Sequence, residues 1–168
     1  ALPPPNSVGR ACVGTGFTRH YSCAAPCGPS RASLLAGMYP HNHRAALNGT
    51  PLDGRHTNIA LELRAAGYAP MLFGYTDTTP DPRELPVGDP ALRSYEGVLK
   101  GFQTGALLPE DGKPWLSYLA ALGYDVPGPG LAIYAADPRV GVPAGREPSF
   151  APTVFAAEHR ENAWLTDR

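Results

Sequence analysis

A thiol, a proline and an arginine stand together in Cys27-Gly28-Pro29-Ser30-Arg31, and the run continues as Ala32-Ser33-Leu34-Leu35-Ala36-Gly37. One turn of helix separates Cys27 from Arg31, so a reactive group at Cys27 and an anion held by the guanidinium fork would lie side by side. A cysteine phosphatase loop is excluded by spacing: it needs its arginine six residues after the cysteine, where this chain has Ser33, and the arginine comes four after, at Arg31. The bland alternatives are a buried cysteine at a helix start and an arginine in a surface salt bridge. Two further side chains could act on a bound ester. Asn48 can donate its amide to a substrate oxygen, or cap its own turn before Gly49. Tyr75 can protonate a leaving group or hydrogen-bond the ester, or be a half-buried aromatic at a strand end. His41 and His43 lie two apart in a polar loop, but two ligands do not make a metal site, and they are read as structural; His56 and His159 are read as surface residues.

The chain has 168 residues and a formal net charge of -1, with 19 Gly, 20 Pro and 43% hydrophobic residues. That length suggests one domain or a piece of one, able to bury a core. Charges of both signs are mixed along it, so no basic stripe points to nucleic acid and no polybasic segment to a membrane surface. No apolar run approaches a bilayer span, and Ala1-Leu2-Pro3-Pro4-Pro5 lacks the regions of a signal peptide; a cytoplasmic location is the expectation. Glycine and proline content stays just below the level of disordered chains, and the composition reads as a loop-rich α/β protein. Cys12, Cys23 and Cys27 are odd in number and too few for a four-ligand zinc site. A Cys23–Cys27 disulfide fits the spacing but would consume the Cys27 thiol.

These residues must be positioned by short elements. Residues 1–20 read as a divergent helix-and-turn segment, with a short strand over 17–22 entering the cysteine loop. Pro29 suits a first helical turn, Ala32 to Ala36 propagate it, and Gly37 ends it. A polar loop over 39–54 follows. Thr57 or Asn58 caps a helix over 59–66 with Ile59, Leu63 and Ala66 on its inner face, closed by Gly67. Residues 68–74 form a short buried strand with Pro70 near its start, so helix followed by strand gives the pattern of a mostly parallel sheet. Prolines at 80, 82, 86 and 90 make 76–90 a surface excursion from that strand's end, the place where α/β sheets carry ligands. Residues 115–122 carry Leu116, Leu119, Ala120 and Leu122 at helical spacing, a core stripe. Residues 126–149 read as a long loop and 158–168 as the opening of a helix. No internal repeat is visible.

The cysteine motif resembles the sulfatase signature, and the resemblance extends through Asn42-His43-Arg44, Asn48, Pro51-Leu52-Asp53, Gly67-Tyr68 and Gly74-Tyr75-Thr76-Asp77-Thr78-Thr79-Pro80-Asp81-Pro82-Arg83. It covers residues 17–83 well. Many sulfatases place a lysine after the strand that ends at Gly74; here Tyr75 follows, as in the phosphonate monoester hydrolase branch. Ala163-Trp164-Leu165-Thr166-Asp167-Arg168 resembles a later helix of the family. The first sixteen residues depart from the family pattern, keeping Asn6, Gly14 and Thr15 but not its apolar positions. At 77 an aspartate stands where relatives tend to have a threonine facing the substrate; a carboxylate there would repel an anionic ester, so Asp77 is left out of the site.

The resemblance implies an α/β/α sandwich of the alkaline phosphatase-like type, of which residues 1–168 would be a partial, nucleophile-bearing portion. The family's metal-binding aspartate on an early strand and its Asp-His or Asp-Asn pair far downstream find no match here, so the piece alone is expected to be inactive. It further implies that Cys27 is oxidised to formylglycine by a formylglycine-generating enzyme. The hydrated aldehyde, bound to a divalent ion such as Ca2+ or Mn2+, attacks sulfur or phosphorus, and its second hydroxyl then expels the product. Cys27, Arg31, Asn48 and Tyr75 are the implied catalytic residues, with Cys27 also a metal ligand. The expected partner is a small-molecule sulfate or phosphonate ester, with neither nucleic acid nor membrane, and a homo-oligomer is left open. Two other classes are weighed: a noncatalytic truncated remnant, and a cysteine redox or metal-binding module built on Cys23 and Cys27.

Overall fold

The computed structural model describes residues 14–128, 130–140, 145 and 152–167. Its helices are α1 (Cys27–Ala36), α2 (Pro40–His43), α3 (Ile59–Ala65), α4 (Lys113–Ala121) and α5 (Glu161–Thr166), and two strands, β1 (Met71–Phe73) and β2 (Gln103–Ala106), pair in parallel. Short 3-10 turns occupy Pro90–Arg93, Leu131–Tyr134 and Ala157–His159. The architecture is α/β and loop-rich.

α1 begins at Cys27, so Pro29 lies in the first turn as expected, where its missing N–H costs nothing. Gly37 ends it in the left-handed region, φ 66°. Residues 17–22 form no strand and 14–20 no helix; residues 14–22 are almost wholly exposed, so no apolar partner orders them. The expected polar loop after α1 contains α2, started by Pro40 at its first position. Asn58, not Thr57, caps α3, accepting from the Ala60 and Leu61 amides at 2.9 and 3.2 Å while its amide donates to Lys100 O at 3.0 Å. The buried position of α3 is Ala60; of the expected inner face Leu63 is half-buried, whereas Ile59 is 49% exposed and Ala66 is exposed.

β1 begins after Pro70, whose carbonyl accepts from the Gln103 amide at 2.9 Å. β2 went unrecognised in the sequence because Gln103-Thr104-Gly105-Ala106 carries no apolar run. The register pairs Leu72 with Thr104 and Phe73 with Ala106, leaving Gly105 as an irregularity. A side chain there is impossible without movement: a Cβ on Gly105 would lie 2.7 Å from Phe73 Cζ.

The segment after β1 has no regular element, as its prolines require, but it is not a surface excursion at its start. Thr76, Asp77, Thr78, Thr79 and Asp81 are all buried. Thr76 exchanges contacts with a distant loop: its hydroxyl donates to Gly97 O and accepts from the Leu99 amide, both at 2.9 Å. Asp81 accepts from the Gly54 amide at 2.7 Å and forms an ion pair with Arg83, which also reaches Asp53. Both carboxyls are held well below the usual range, Asp53 chiefly by Arg55 and Asp81 chiefly by Arg83.

Apolar packing is divided. The larger cluster joins Leu108, Trp115, Leu116, Leu119, Ile133, Phe155 and Trp164. Trp115 packs edge-on against Phe155 at 5.3 Å between centroids and donates its indole N–H to His159 O at 2.8 Å. The expected stripe on α4 is thus confirmed at Leu116 and Leu119, whereas Ala120 and Leu122 face solvent. The smaller cluster, Ala32, Ala45 and Leu52, seats α1. Beside it, buried His43 links α2 to α1: its Nδ1 accepts from the Ala45 amide at 3.1 Å, so its Nε2–H donates to Ser33 Oγ at 2.8 Å. The region 126–149 contains the Leu131–Tyr134 turn and an antiparallel bridge from Ala136 to Thr153. The expected helix over 158–168 starts later, at Glu161, after the separate Ala157–His159 turn. Residues 1–13, on which the first part of the divergent segment falls, lie outside the described residues. Among the described residues no helix is long and apolar enough to cross a membrane.

Leu119→Ala should destabilise the aromatic cluster by about 2–5 kcal/mol in denaturant unfolding, because the fully buried side chain leaves a cavity walled by rigid rings. His43 provides a pH signature. Burial, first, lowers its pKa, with His56 and His41 adding to the effect. The folded state therefore binds a proton less readily than the unfolded chain. The stability His43 contributes should be intact above about pH 6.5 and be lost as pH falls below it. The unfolding midpoint of His43→Asn should show a shallower decline on acidification than the parent does.

Candidate active site

Cys27 is the first residue of α1, exposed and unpaired; Cys23 is also a free, exposed thiol, and Cys12 lies outside the described residues. The two described cysteines do not form the disulfide that their spacing allows.

Gly28 and Asn48 meet directly. The Gly28 amide donates to Asn48 Oδ1 at 2.7 Å, and a Cβ on Gly28 would stand 2.9 Å from Asn48 Cα. Only glycine lets the Asn48 loop come this close to the residue after Cys27. With its oxygen engaged, Asn48 has its two amide hydrogens left for a ligand. This differs from a plain turn cap, because the contact crosses twenty residues of sequence.

Arg31 is half-buried and fixed from two sides by one residue. Its Nη1 donates to the Tyr75 carbonyl at 3.0 Å, and its guanidinium carbon lies 5.1 Å from the centroid of the Tyr75 ring. It forms no ion pair among the described residues. The bland alternative of a surface salt bridge is not what these contacts show, and the fork keeps further donors available.

Tyr75 follows β1 and Gly74, and its hydroxyl donates to Glu110 Oε1 at 3.1 Å. The other oxygen of Glu110 accepts from Tyr95 at 2.8 Å, and the Glu110 amide donates to Glu96 Oε1 at 2.7 Å. Burial, then the Glu110 contact, push the Tyr75 phenol up to about 12. Tyr75 is consequently a neutral donor throughout the neutral range. Sequence reasoning missed Glu110; it sits in a polar turn 35 residues from Tyr75, with no motif to mark it.

Asp77 is also placed here. It is 2% exposed, its backbone is left-handed at φ 61°, and its Oδ1 has no hydrogen-bond partner. Burial raises its pKa, Arg31 opposes that, and Glu110 adds to it.

Pairwise links run through the four expected residues: Arg31 touches Tyr75, Asn48 touches Gly28 beside Cys27, and Arg31 follows Cys27 one turn later on α1. His43 is excluded from these links by its buried contacts with Ser33 and Ala45. Among the described residues no three His, Cys, Asp or Glu side chains converge to hold a divalent ion.

The Sulfatase family model matches residues 8–124. The chain is similar to the multifunctional alkaline phosphatase superfamily protein PehA of Trinickia caryophylli, 37% identical over 168 residues, which cover 99% of this chain and 32% of that protein. A putative extracellular sulfatase Sulf-1 homolog of Caenorhabditis elegans is 34% identical over 68 residues, 36% of this chain and 10% of that one. Among solved structures, phosphonate monoester hydrolase of Agrobacterium radiobacter superposes with a TM-score of 0.72 at 42% identity, over 90% of this chain and 29% of that one. Phosphonate monoester hydrolase SpPMH from Silicibacter pomeroyi gives a TM-score of 0.74 at 45% identity, over 89% and 29%. The chain thus spans about a third of the length of PehA and somewhat less of the two hydrolases. With the family pattern running from the cysteine loop through α4, and the backbone superposing on two of its hydrolases, the chain belongs to the sulfatase family of the alkaline phosphatase superfamily.

Proposed function

We propose that this chain is the nucleophile-bearing portion of a hydrolase for phosphonate or sulfate monoesters, with Cys27 as the precursor of formylglycine. The observation that carries the reading is the union of an exposed free thiol at the start of α1 with an arginine fork fixed against Tyr75 one turn later. Cys27 suits the modification because it is accessible and unpaired, and when oxidised the aldehyde supplies, as its hydrate, an oxygen nucleophile. Since the described residues do not complete a metal site, the steps assigned here belong to side chains alone.

Arg31 binds the anionic oxygens of the ester. It is kept from collapsing onto Cys27 by its bond to the Tyr75 carbonyl, so the anion is held beside the nucleophile rather than displaced by it. Asn48 donates through its amide hydrogens, its oxygen being locked to Gly28. Tyr75, protonated up to about 12, hydrogen-bonds the ester or the leaving oxygen by exchanging its Glu110 acceptor for the substrate. A tyrosine at this place, where many sulfatases have a lysine, is the feature shared with the phosphonate monoester hydrolase branch, and phosphonate monoesters are the substrate class proposed first. A cytoplasmic location, dependence on a formylglycine-generating enzyme and self-association remain part of the proposal.

The test is made on the full-length protein co-expressed with a formylglycine-generating enzyme. Mass spectrometry of the Cys27 peptide should show aldehyde in place of thiol, and an aryl phosphonate monoester should be hydrolysed faster than an aryl sulfate. Cys27→Ala should abolish both aldehyde and turnover. Full-length protein that carries unmodified Cys27 and hydrolyses neither ester would leave the noncatalytic remnant as the correct reading. In the active protein, Arg31→Lys should lower kcat/KM by roughly a hundredfold, since an ammonium cannot hold the Tyr75 carbonyl and a bidentate anion together.

Glu110→Gln removes the negative acceptor that helps raise the Tyr75 phenol. Its titration, followed by NMR of labelled tyrosine ring carbons, should move down from about 12 towards the ordinary value near 10. An unchanged titration would show that Glu110 does not govern Tyr75.

A further inference from the structure

Asp77 is the one described carboxyl whose surroundings contradict its charge. Every other strongly buried acid has a cation or an amide to answer it: Asp81 has Arg83 and the Gly54 amide, and Asp137 has Arg139. Asp77 is as buried as these, yet its Oδ1 has no donor, and no cation lies within ion-pair distance of it among the described residues. An ionised carboxylate left so would cost several kcal/mol. A protonated one needs no counter-charge and carries a donor of its own.

The groups that face Asp77 are known from every element around it. Among the described residues Arg31 on α1 is the cation that acts on it and favours ionisation; Glu110 opposes it. Tyr75 and Tyr95 feel the Asp77 charge and are themselves neutral phenols hydrogen-bonded to Glu110. Arg31 is bonded to the Tyr75 carbonyl, two residues before Asp77, while Glu110 accepts hydrogen bonds from the Tyr75 and Tyr95 hydroxyls. The backbone supports the same assignment. Aspartate is one of few side chains that tolerate the left-handed region, and φ 61° holds the group in place at a position where most residues would be strained.

We propose that Asp77 keeps its proton in the folded protein and donates it as a hydrogen bond to an anionic oxygen held by Arg31, so that anion binding weakens when that proton is lost. This rests on reading the Arg31–Tyr75 constellation as the ester site. Asp77 is then a substrate-binding acid and not a repelling charge. The direction follows from the sign: the neutral form adds a donor beside the guanidinium, whereas the ionised form sets a negative charge next to the incoming anion and draws Arg31 to itself.

Inorganic sulfate is the probe for the test, because its charge is constant across the working range and its binding needs neither aldehyde nor turnover. Calorimetric titration of the full-length protein should show affinity falling by about tenfold as pH rises through the Asp77 transition. Asp77→Asn, a permanently neutral donor that tolerates the same backbone, should bind sulfate tightly at both ends of the range. Asp77→Gly, which tolerates φ 61° but has no donor, should be weak and flat. Glu110→Gln should move the transition to lower pH, because a charge that keeps Asp77 protonated is gone; a purely structural Asp77 would not respond. A pH-independent affinity in the parent, or an Asp77→Asn profile that matches the parent, would overturn the proposal. Absence of aldehyde or ester turnover in the same protein would instead overturn the hydrolase reading, and the sulfate profile would still decide the role of Asp77.

Discussion

Arg31 joins the two parts of the molecule that must agree for any chemistry at Cys27. Its guanidinium belongs to α1 and its partner, the Tyr75 carbonyl, to the chain leaving β1. A single 3.0 Å hydrogen bond with the ring beneath it therefore fixes the helix that presents Cys27 against the sheet that presents Tyr75. Helix geometry makes the spacing matter. An arginine four residues after Cys27 emerges on the same side of the helix and can reach both an anion and the sheet; six residues after, it would emerge on the far side.

Apolar packing cannot do this positioning. The large aromatic cluster lies around α4 and the residues beyond it, whereas α1 rests on only Ala32, Ala45 and Leu52. Around the candidate site the holding contacts are directional: Gly28 to Asn48, Ser33 to His43, Thr76 to Gly97 and Leu99, Asp81 to Gly54. Each contributes about 1 kcal/mol net, but each also fixes an angle that a methyl–methyl contact leaves free. A region held this way gains precision for reactive groups at some expense in stability.

The sequence was most legible where a structural requirement and a residue's own chemistry coincide within a few positions. Pro29 in a first turn, Gly37 at a helix end, Asn58 as a cap and the Leu116–Leu119 stripe all belong to that class, and so does the Cys27–Arg31 spacing. Legibility fails where the requirement is set by a distant residue. Gly105 is dictated by the Phe73 ring, so β2 has no strand composition of its own. Thr76, Asp77 and Thr79 read as surface because they are polar and proline follows, yet they are buried, and Thr76 is satisfied by a loop some twenty residues away. Glu110 is invisible for the same reason: its role comes from two phenols brought to it by the fold.

The balance of charge around Arg31 limits what the proposed site can bind. Among the described residues one guanidinium acts on the Asp77 carboxyl against Glu110, and Glu110 accepts hydrogen bonds from both Tyr75 and Tyr95. Were Asp77 ionised as well, the nearest charges would sum to a negative value before any ester arrived, and Arg31 would be spent neutralising its neighbours. With Asp77 neutral, the sum is near zero and a singly charged ester meets one cation and several neutral donors. A doubly charged phosphate monoester would lack a second cation among these residues, while sulfate and phosphonate monoesters carry a single negative charge and differ chiefly in the groups around the central atom. On the proposed reading, net charge does not separate those two, and Tyr75 and the Asn48 amide are the donors through which these residues would.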